Sequence, residues 1–259
     1  MWDKQRYIGS LGVLSLIILI RKRRLILFGT FFVILTLFSS YAGKLLFPAK
    51  VPVFSEETAV PSVTVVIDPG HGGEDGGAVS QDGISESRLN LAVATQINDL
   101  MRFFGQPTIM TRTEDISIHT EGDTIRARKA SDIHNRVALV NQTENAVLLS
   151  IHQNSLPSSP VTHGAQVFWN RQPNAEELAH VVQDTLNTVI NQGNAKHPKQ
   201  IPDTIYLMKH TEAPAILVEC GFLSNAEETR NLQNPSHQTK LAAAITIGYL
   251  RYRAGEDIP

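Results

Sequence analysis

The chain has 259 residues, 42% apolar and 19% charged, the size of one medium domain with an appendage, which excludes wholesale disorder and collagen-like repeats. Its net charge of −2 hides a split: residues 1–50 carry eight Lys/Arg against one acid, and residues 51–259 carry fifteen against twenty-four. An acidic main domain excludes non-specific nucleic-acid binding, which needs cations on phosphates, and the single cysteine, Cys220, excludes an internal disulfide and any Cys₂ or Cys₄ zinc site.

The N-terminus reads as a membrane address. Ile8–Ile20 is apolar but short for a bilayer, Arg21-Lys22-Arg23-Arg24 form a basic knot, and Leu25–Gly43 runs nineteen residues without a charge. The cationic cluster is expected to stay cytoplasmic and send the rest of the chain outward. Residues 1–43 are therefore expected to be a basic segment and a membrane anchor, with a cleaved signal as the alternative. Either way the main domain lies outside the cytoplasm, anchored or secreted. Residues 44–61, punctuated by Pro48, Pro52 and Pro61, read as a tether, and residues 62–259 as the outer domain.

In the outer domain, Val63–Ile67 is a short β-branched run ending at Asp68-Pro69-Gly70, which predicts a buried strand entering a turn. From Ser85 to Phe104 the spacing turns helical, with Leu89, Val93, Ile97 and Leu100–Met101 on one face and Gly105 as the stop. Thr108–Thr111 predicts a strand, Ala127–Asn141 a helix, and Ala146–Ile151 and Ala165–Trp169 further strands. A helix over Ala175–Ile190, a strand over Ala215–Val218 and a closing helix over Lys240–Arg253 complete the pattern. The stretches Ile116–Thr124 and Gln192–Asp203 read as loops. This alternation predicts an α/β fold: one three-layer domain with a mainly parallel, twisted sheet covered by helices on both faces.

In such sheets ligands bind beyond the carboxyl ends of the strands. His71 follows the first strand, His152 follows Ala146–Ile151, and Glu219 follows Ala215–Val218, so two imidazoles and a carboxylate converge on one edge. Glu86, at the start of the first helix, points back to the same edge. Two His and one carboxylate with an open position suit hydrolytic Zn2+, which lowers the pKa of water and polarises a carbonyl, and a further carboxylate serves as general base. Position alone leaves open which of Glu86 and Glu219 binds metal and which works on water. The glycines Gly70, Gly72, Gly73, Gly76 and Gly77 form no nucleotide-binding signature, since no G-x-G-x-x-G opens a helix.

The run Val65–Ala78, containing Asp68-Pro69-Gly70-His71-Gly72-Gly73, resembles the opening motif of the zinc-dependent N-acetylmuramoyl-L-alanine amidases, the amidase type 3 family. Glu86–Leu91, Thr111–Asp115, Arg136–Asn141, Ser150–Asn154 and Pro214–Asn225 resemble its further motifs in order, over about residues 63–253. The resemblance implies that His71, Glu86 and His152 hold zinc and that Glu219 is the catalytic carboxylate. It implies hydrolysis of the amide between N-acetylmuramic acid and L-alanine of the stem peptide, with peptidoglycan as substrate and an activator protein as a further partner. The stretch Glu121–Ile133, the stretch Ile201–His210 and the N-terminal segment resemble the spore-cortex, germination-specific type within the family. That implies peptide-free muramic residues, the precursors of muramic-δ-lactam. A zinc peptidase cutting within the stem peptide and a non-catalytic wall-binding module are the competing readings.

Other residues are read more conservatively. Arg126, Arg128 and Lys129 are a solvated basic face or contacts to stem-peptide carboxylates. Arg136 is structural, Asn154 either orients His152 or caps a turn, and Cys220 is a small buried thiol. Trp169 belongs to the core or its rim, and His163 and His210 have no evident partner.

Overall fold

The computed structural model describes residues 62–255. The expected anchor and the whole of the tether lie outside the described residues, and among those described no helix is long and apolar enough to cross a membrane.

Six strands form one sheet: β1 (Thr64–Pro69), β2 (Thr108–Met110), β3 (Ala146–Asn154), β4 (Gln166–Trp169), β5 (Lys199–Gln200) and β6 (Ala215–Phe222), in the order β2-β1-β3-β6-β4-β5. The helices are α1 (Glu86–Phe103), α2 (Ile125–Gln142), α3 (Ala175–Val189), α4 (Tyr206–His210), α5 (Ala226–Gln233) and α6 (Pro235–Arg253).

Because strand side chains alternate between faces, the apolar runs feed two cores. Val65, Ile67, Val147, Leu149, Ile151, Ile216 and Val218 pack with Leu89, Val93, Ile97, Leu178, Leu186, Leu241 and Ile245 of α1, α3 and α6. On the opposite face Val66, Leu148 and Leu217 pack with Val140 of α2 and with Leu207 and Met208 of α4. The three-layer expectation is met.

The sheet is mainly parallel, as expected, with one reversal. β2, β1, β3 and β6 run parallel, but β4 is antiparallel to β6, and β5 follows β4. Residues 155–165, between β3 and β4, contain no helix, and a parallel return needs a crossover of a dozen or more residues. The chain therefore turns at the carboxyl edge and runs back. Short elements also fall where loops or nothing were expected: β5, α4 and α5. Helix α6 starts at Pro235, five residues before the predicted Lys240, because the Asn234 side chain accepts from the Ser236 N–H and proline suits the first helical turn. Stretch 116–124 contains no helix or strand, as read from the sequence.

Candidate active site

The site is built at the carboxyl edge of β1, β3 and β6. Asp68 pairs in register with Ser150, and His152 with Glu219, so alternation places all four on the α2/α4 face. His71 lies two residues past β1 with φ 62, a left-handed conformation that turns its ring back over the edge. Glu86 is the first residue of α1, near a helix N-terminus that favours a carboxylate.

The Glu86 carboxylate lies between the two imidazoles. Its Oε1 is 2.9 Å from His152 Nδ1 and its Oε2 is 3.3 Å from His71 Nε2. The two rings sit edge to face with centroids 5.1 Å apart. Backbone N–H groups of Ala78 and Gln153 donate to the same carboxylate at 2.9 and 3.1 Å, and Asn90 Nδ2 donates at 3.2 Å. One ligand atom from each of His71, Glu86 and His152 lies within 4.8 Å of the others. Burial works against the Glu86 charge, but the hydrogen bonds from His152 and His71 outweigh it and hold the carboxyl below its usual range. Burial likewise disfavours a charged His71, yet its bonds to Asp75 and Glu86 raise it to about 9.

Glu219 sits differently. Its Oε2 is buried with no hydrogen-bond partner. Burial, reinforced by the nearby Glu86 charge and opposed by His152 and His71, pushes its carboxyl up to about 7. An unpartnered buried carboxyl oxygen is costly in a purely structural setting and suits a group that must exchange a proton. It lines a cavity of about 340 Å³ together with His71, His152, Lys129 and residues of α4.

The support beneath these side chains was only partly evident from sequence. Arg136 is 2% exposed and binds Asp68 Oδ1 at 2.6 Å and Asp132 Oδ2 at 2.7 Å. It also donates to the carbonyls of Pro69 and His71 at 2.9 and 2.7 Å. Arg112, also buried, donates to the carbonyls of Pro69, Gly70 and Ser87. Two guanidiniums thus gather the inward-facing carbonyls of the turn that presents His71, which makes Arg136 structural as expected. Asp68 is further held by Thr111 Oγ1 and Ser150 Oγ at 2.7 and 2.8 Å. Burial raises the Asp68 pKa, but Arg136 and these donors hold it below its ordinary value.

Asp75 was not singled out in the sequence. Its Oδ2 accepts from His71 Nδ1 at 2.9 Å, and its Oδ1 meets Lys129 Nζ at 2.7 Å. An acid four residues after a histidine in a glycine-rich turn was the available signal. Arg128 grips Glu74 through Nε and Nη2 at 2.9 and 3.0 Å, so the first turn of α2 clasps the loop bearing His71. Asn154 caps: its Oδ1 accepts from the Ser155 N–H at 2.8 Å, while His152 Nδ1 faces Glu86. Cys220 is buried, and burial raises its thiol pKa, as an inert thiol requires. Trp169 packs against the core with its ring 5.7 Å from His180. The His210 ring lies 4.1 Å from that of Tyr206, and His163 Nδ1 is 3.0 Å from the carbonyl of Val161.

The donor set fits zinc. Two imidazoles and one carboxylate can converge on an ion, the remaining nitrogen of His71 is held by a carboxylate, and one side opens to the cavity lined by Glu219.

A family model described as N-acetylmuramoyl-L-alanine amidase matches residues 65–250. Among curated proteins, the germination-specific N-acetylmuramoyl-L-alanine amidase of Bacillus subtilis (strain 168) is 36% identical over 189 residues, covering 73% of this chain and 78% of its own. Among solved structures, the CwlD amidase from Clostridioides difficile, in complex with the GerS lipoprotein, is 33% identical with a TM-score of 0.71, covering 75% of this chain and 100% of that one. An N-acetylmuramoyl-L-alanine amidase from Clostridium difficile 630 is 27% identical with a TM-score of 0.65, over 76% and 99%.

Proposed function

The chain belongs to the N-acetylmuramoyl-L-alanine amidase family of peptidoglycan hydrolases, and from that premise we propose that it hydrolyses the amide between the lactyl group of N-acetylmuramic acid and L-alanine of the stem peptide. The observation that carries the reading is the unpartnered Glu219 oxygen in the cavity also lined by His71 and His152.

His71, Glu86 and His152 hold Zn2+. Bound zinc supplies Lewis-acid polarisation of the scissile carbonyl and of water. Glu219 acts as general base: its carboxylate accepts a proton from the attacking water, then delivers it to the L-alanine nitrogen as the C–N bond breaks. Asp75 keeps the His71 ring turned so that Nε2 faces the cluster.

The identity with the germination-specific amidase supports a role in the spore cortex, where peptide-free muramic residues are the precursors of muramic-δ-lactam. The CwlD amidase solved with a lipoprotein supports an activator partner for this chain. The basic knot Arg21–Arg24 followed by an uncharged run supports a membrane tether with the catalytic domain outside the cytoplasm.

The test is mass spectrometry of peptidoglycan digested by the solubilised full chain with added zinc, with Glu219→Gln as control. Stem peptides with a free L-alanine amine, absent with the variant, are expected. Cuts inside the stem would move the assignment to a peptidase. Equal function in parent and variant would move it to a binding module.

A further inference from the structure

The cavity beside the three donors is strongly acidic in residue type, yet apart from Glu219 its acids are turned to partners of their own. Asp68 is held by Arg136, Thr111 and Ser150, and Asp132 by Arg136, Ser117 and Ile118 N–H. Arg136 also lines the cavity, but it is 2% exposed and fully engaged by Asp68, Asp132 and backbone carbonyls. Lys129 is the exception among the lining cations: its side chain is 49% exposed, and Asp75 Oδ1, at 2.7 Å, takes one of the three protons of its ammonium.

The position of this ammonium is specific. It is separated from the His71 ring by one carboxylate, with hydrogen bonds of 2.7 and 2.9 Å on either side. Extended peptide advances about 3.3–3.6 Å per residue, so a carboxylate on the residue after L-alanine lies roughly 7 Å from the scissile carbonyl. His71, Asp75 and Lys129 line the same cavity as Glu219, so the ammonium lies on the wall along which a bound stem peptide runs. The remaining wall is apolar, from Ile133, Ile205, Leu207 and Leu217, with Tyr206 partly exposed. Such a wall offers a stem peptide no other cation.

We infer that Lys129 is a specificity residue: its ammonium receives the free carboxylate of the stem-peptide residue that follows L-alanine, so the enzyme prefers acidic stems over amidated ones. This rests on the amidase reading above. The same ammonium steadies Asp75, so charge and placement of the loop are coupled. A half-exposed, charge-assisted hydrogen bond corresponds to about a tenfold preference.

The experiment compares two matched muramyl dipeptides, one with a free carboxylate on the second residue and one with the carboxamide. They are tested with zinc-loaded full-length parent, Lys129→Met and Lys129→Arg. The parent is expected to cleave the acid with a kcat/KM about tenfold higher, mainly through KM. Lys129→Met is expected to bring the ratio to near one, and Lys129→Arg to keep most of it. If Lys129 only steadied Asp75, the Met variant would lose rate equally on both compounds and keep the ratio, and that overturns the inference. Equal rates on both compounds with the parent overturn it as well. Should neither compound be cut between muramic acid and alanine, the amidase reading fails separately. Calorimetric binding of the same two compounds then decides: an acid preference lost in Lys129→Met upholds the inference, and equal binding overturns it.

Discussion

Gly70→Ala is the sharpest test of how the turn after β1 is shaped. A Cβ built on Gly70 would lie 2.2 Å from His152 Cε1, 2.3 Å from Nε2 and 2.8 Å from Nδ1. Ordinary contact begins near 3.4 Å, so the ring must retreat by more than an ångström. It cannot do so and keep its 2.9 Å bond to Glu86 Oε1, which fixes its orientation. Misplacement of about 1 Å at a reacting centre costs on the order of 10²-fold in rate. That corresponds to about 2.7 kcal/mol of transition-state stabilisation. Zinc affinity should fall by at least about 10–100-fold, the usual effect of losing a ligand's orientation. The ring can swing into the cavity, so the fold should survive with a thermal midpoint within a few degrees of the parent. Chelator-competition titration of zinc, thermal unfolding by circular dichroism, and kcat/KM on muramyl peptides together read this. Gly76→Ala is the internal control: its Cβ would meet only Ser85 Cβ at 3.6 Å, an ordinary contact, and both zinc affinity and activity should be retained. If Gly70→Ala keeps zinc affinity and kcat/KM within twofold of the parent, the steric reasoning is wrong.

Asp75→Asn should weaken zinc binding by about 10–100-fold with little change in folding, because an amide holds the His71 N–H more weakly than a carboxylate; isothermal titration reads it. Arg136→Met leaves the buried Asp68 carboxylate without its cation, so urea unfolding should report a loss of about 3–5 kcal/mol. The acid limb of the kcat/KM profile should fall at or below about 7, because Glu219 must be deprotonated to act as a base and a divalent cation bound beside it favours the carboxylate. The same raised carboxyl opposes folding of the metal-free protein at alkaline pH. Its contribution is fully favourable below the unfolded carboxylate value of 4.5 and is lost as pH rises through about 7, so Glu219→Gln should raise the metal-free thermal midpoint at pH 8 but not at pH 4.

Much of this protein was determined by its linear pattern. The β-branched runs around Ile67, Leu149 and Val218 specify buried parallel strands, because side chains alternating between two covered faces must be apolar throughout. Once three strands run the same way, the residues at their carboxyl ends meet at one edge, which brings His71, His152 and Glu219 together, although β3 and β6 run on through His152 and Glu219 rather than ending before them. The division of labour between Glu86 and Glu219 was not legible from spacing. It becomes physical only in the folded molecule, where Glu86 bridges two imidazoles and accepts three N–H donors while Glu219 keeps a buried oxygen unpaired.

Only the tertiary structure decided the rest. The reversal of β4 depends on the short connection after β3 staying on the carboxyl edge, and a run of apolar residues carries no direction. The grip of Arg112 and Arg136 on the carbonyls of Pro69, Gly70 and His71 joins residues more than 40 positions apart. Asp75 and Lys129 meet across the same turn, 54 residues apart in the chain. Hydrophobic periodicity is a local signal that burial imposes on each element separately. Hydrogen bonds between distant polar groups form wherever the packed elements bring donor to acceptor, and that depends on the whole fold.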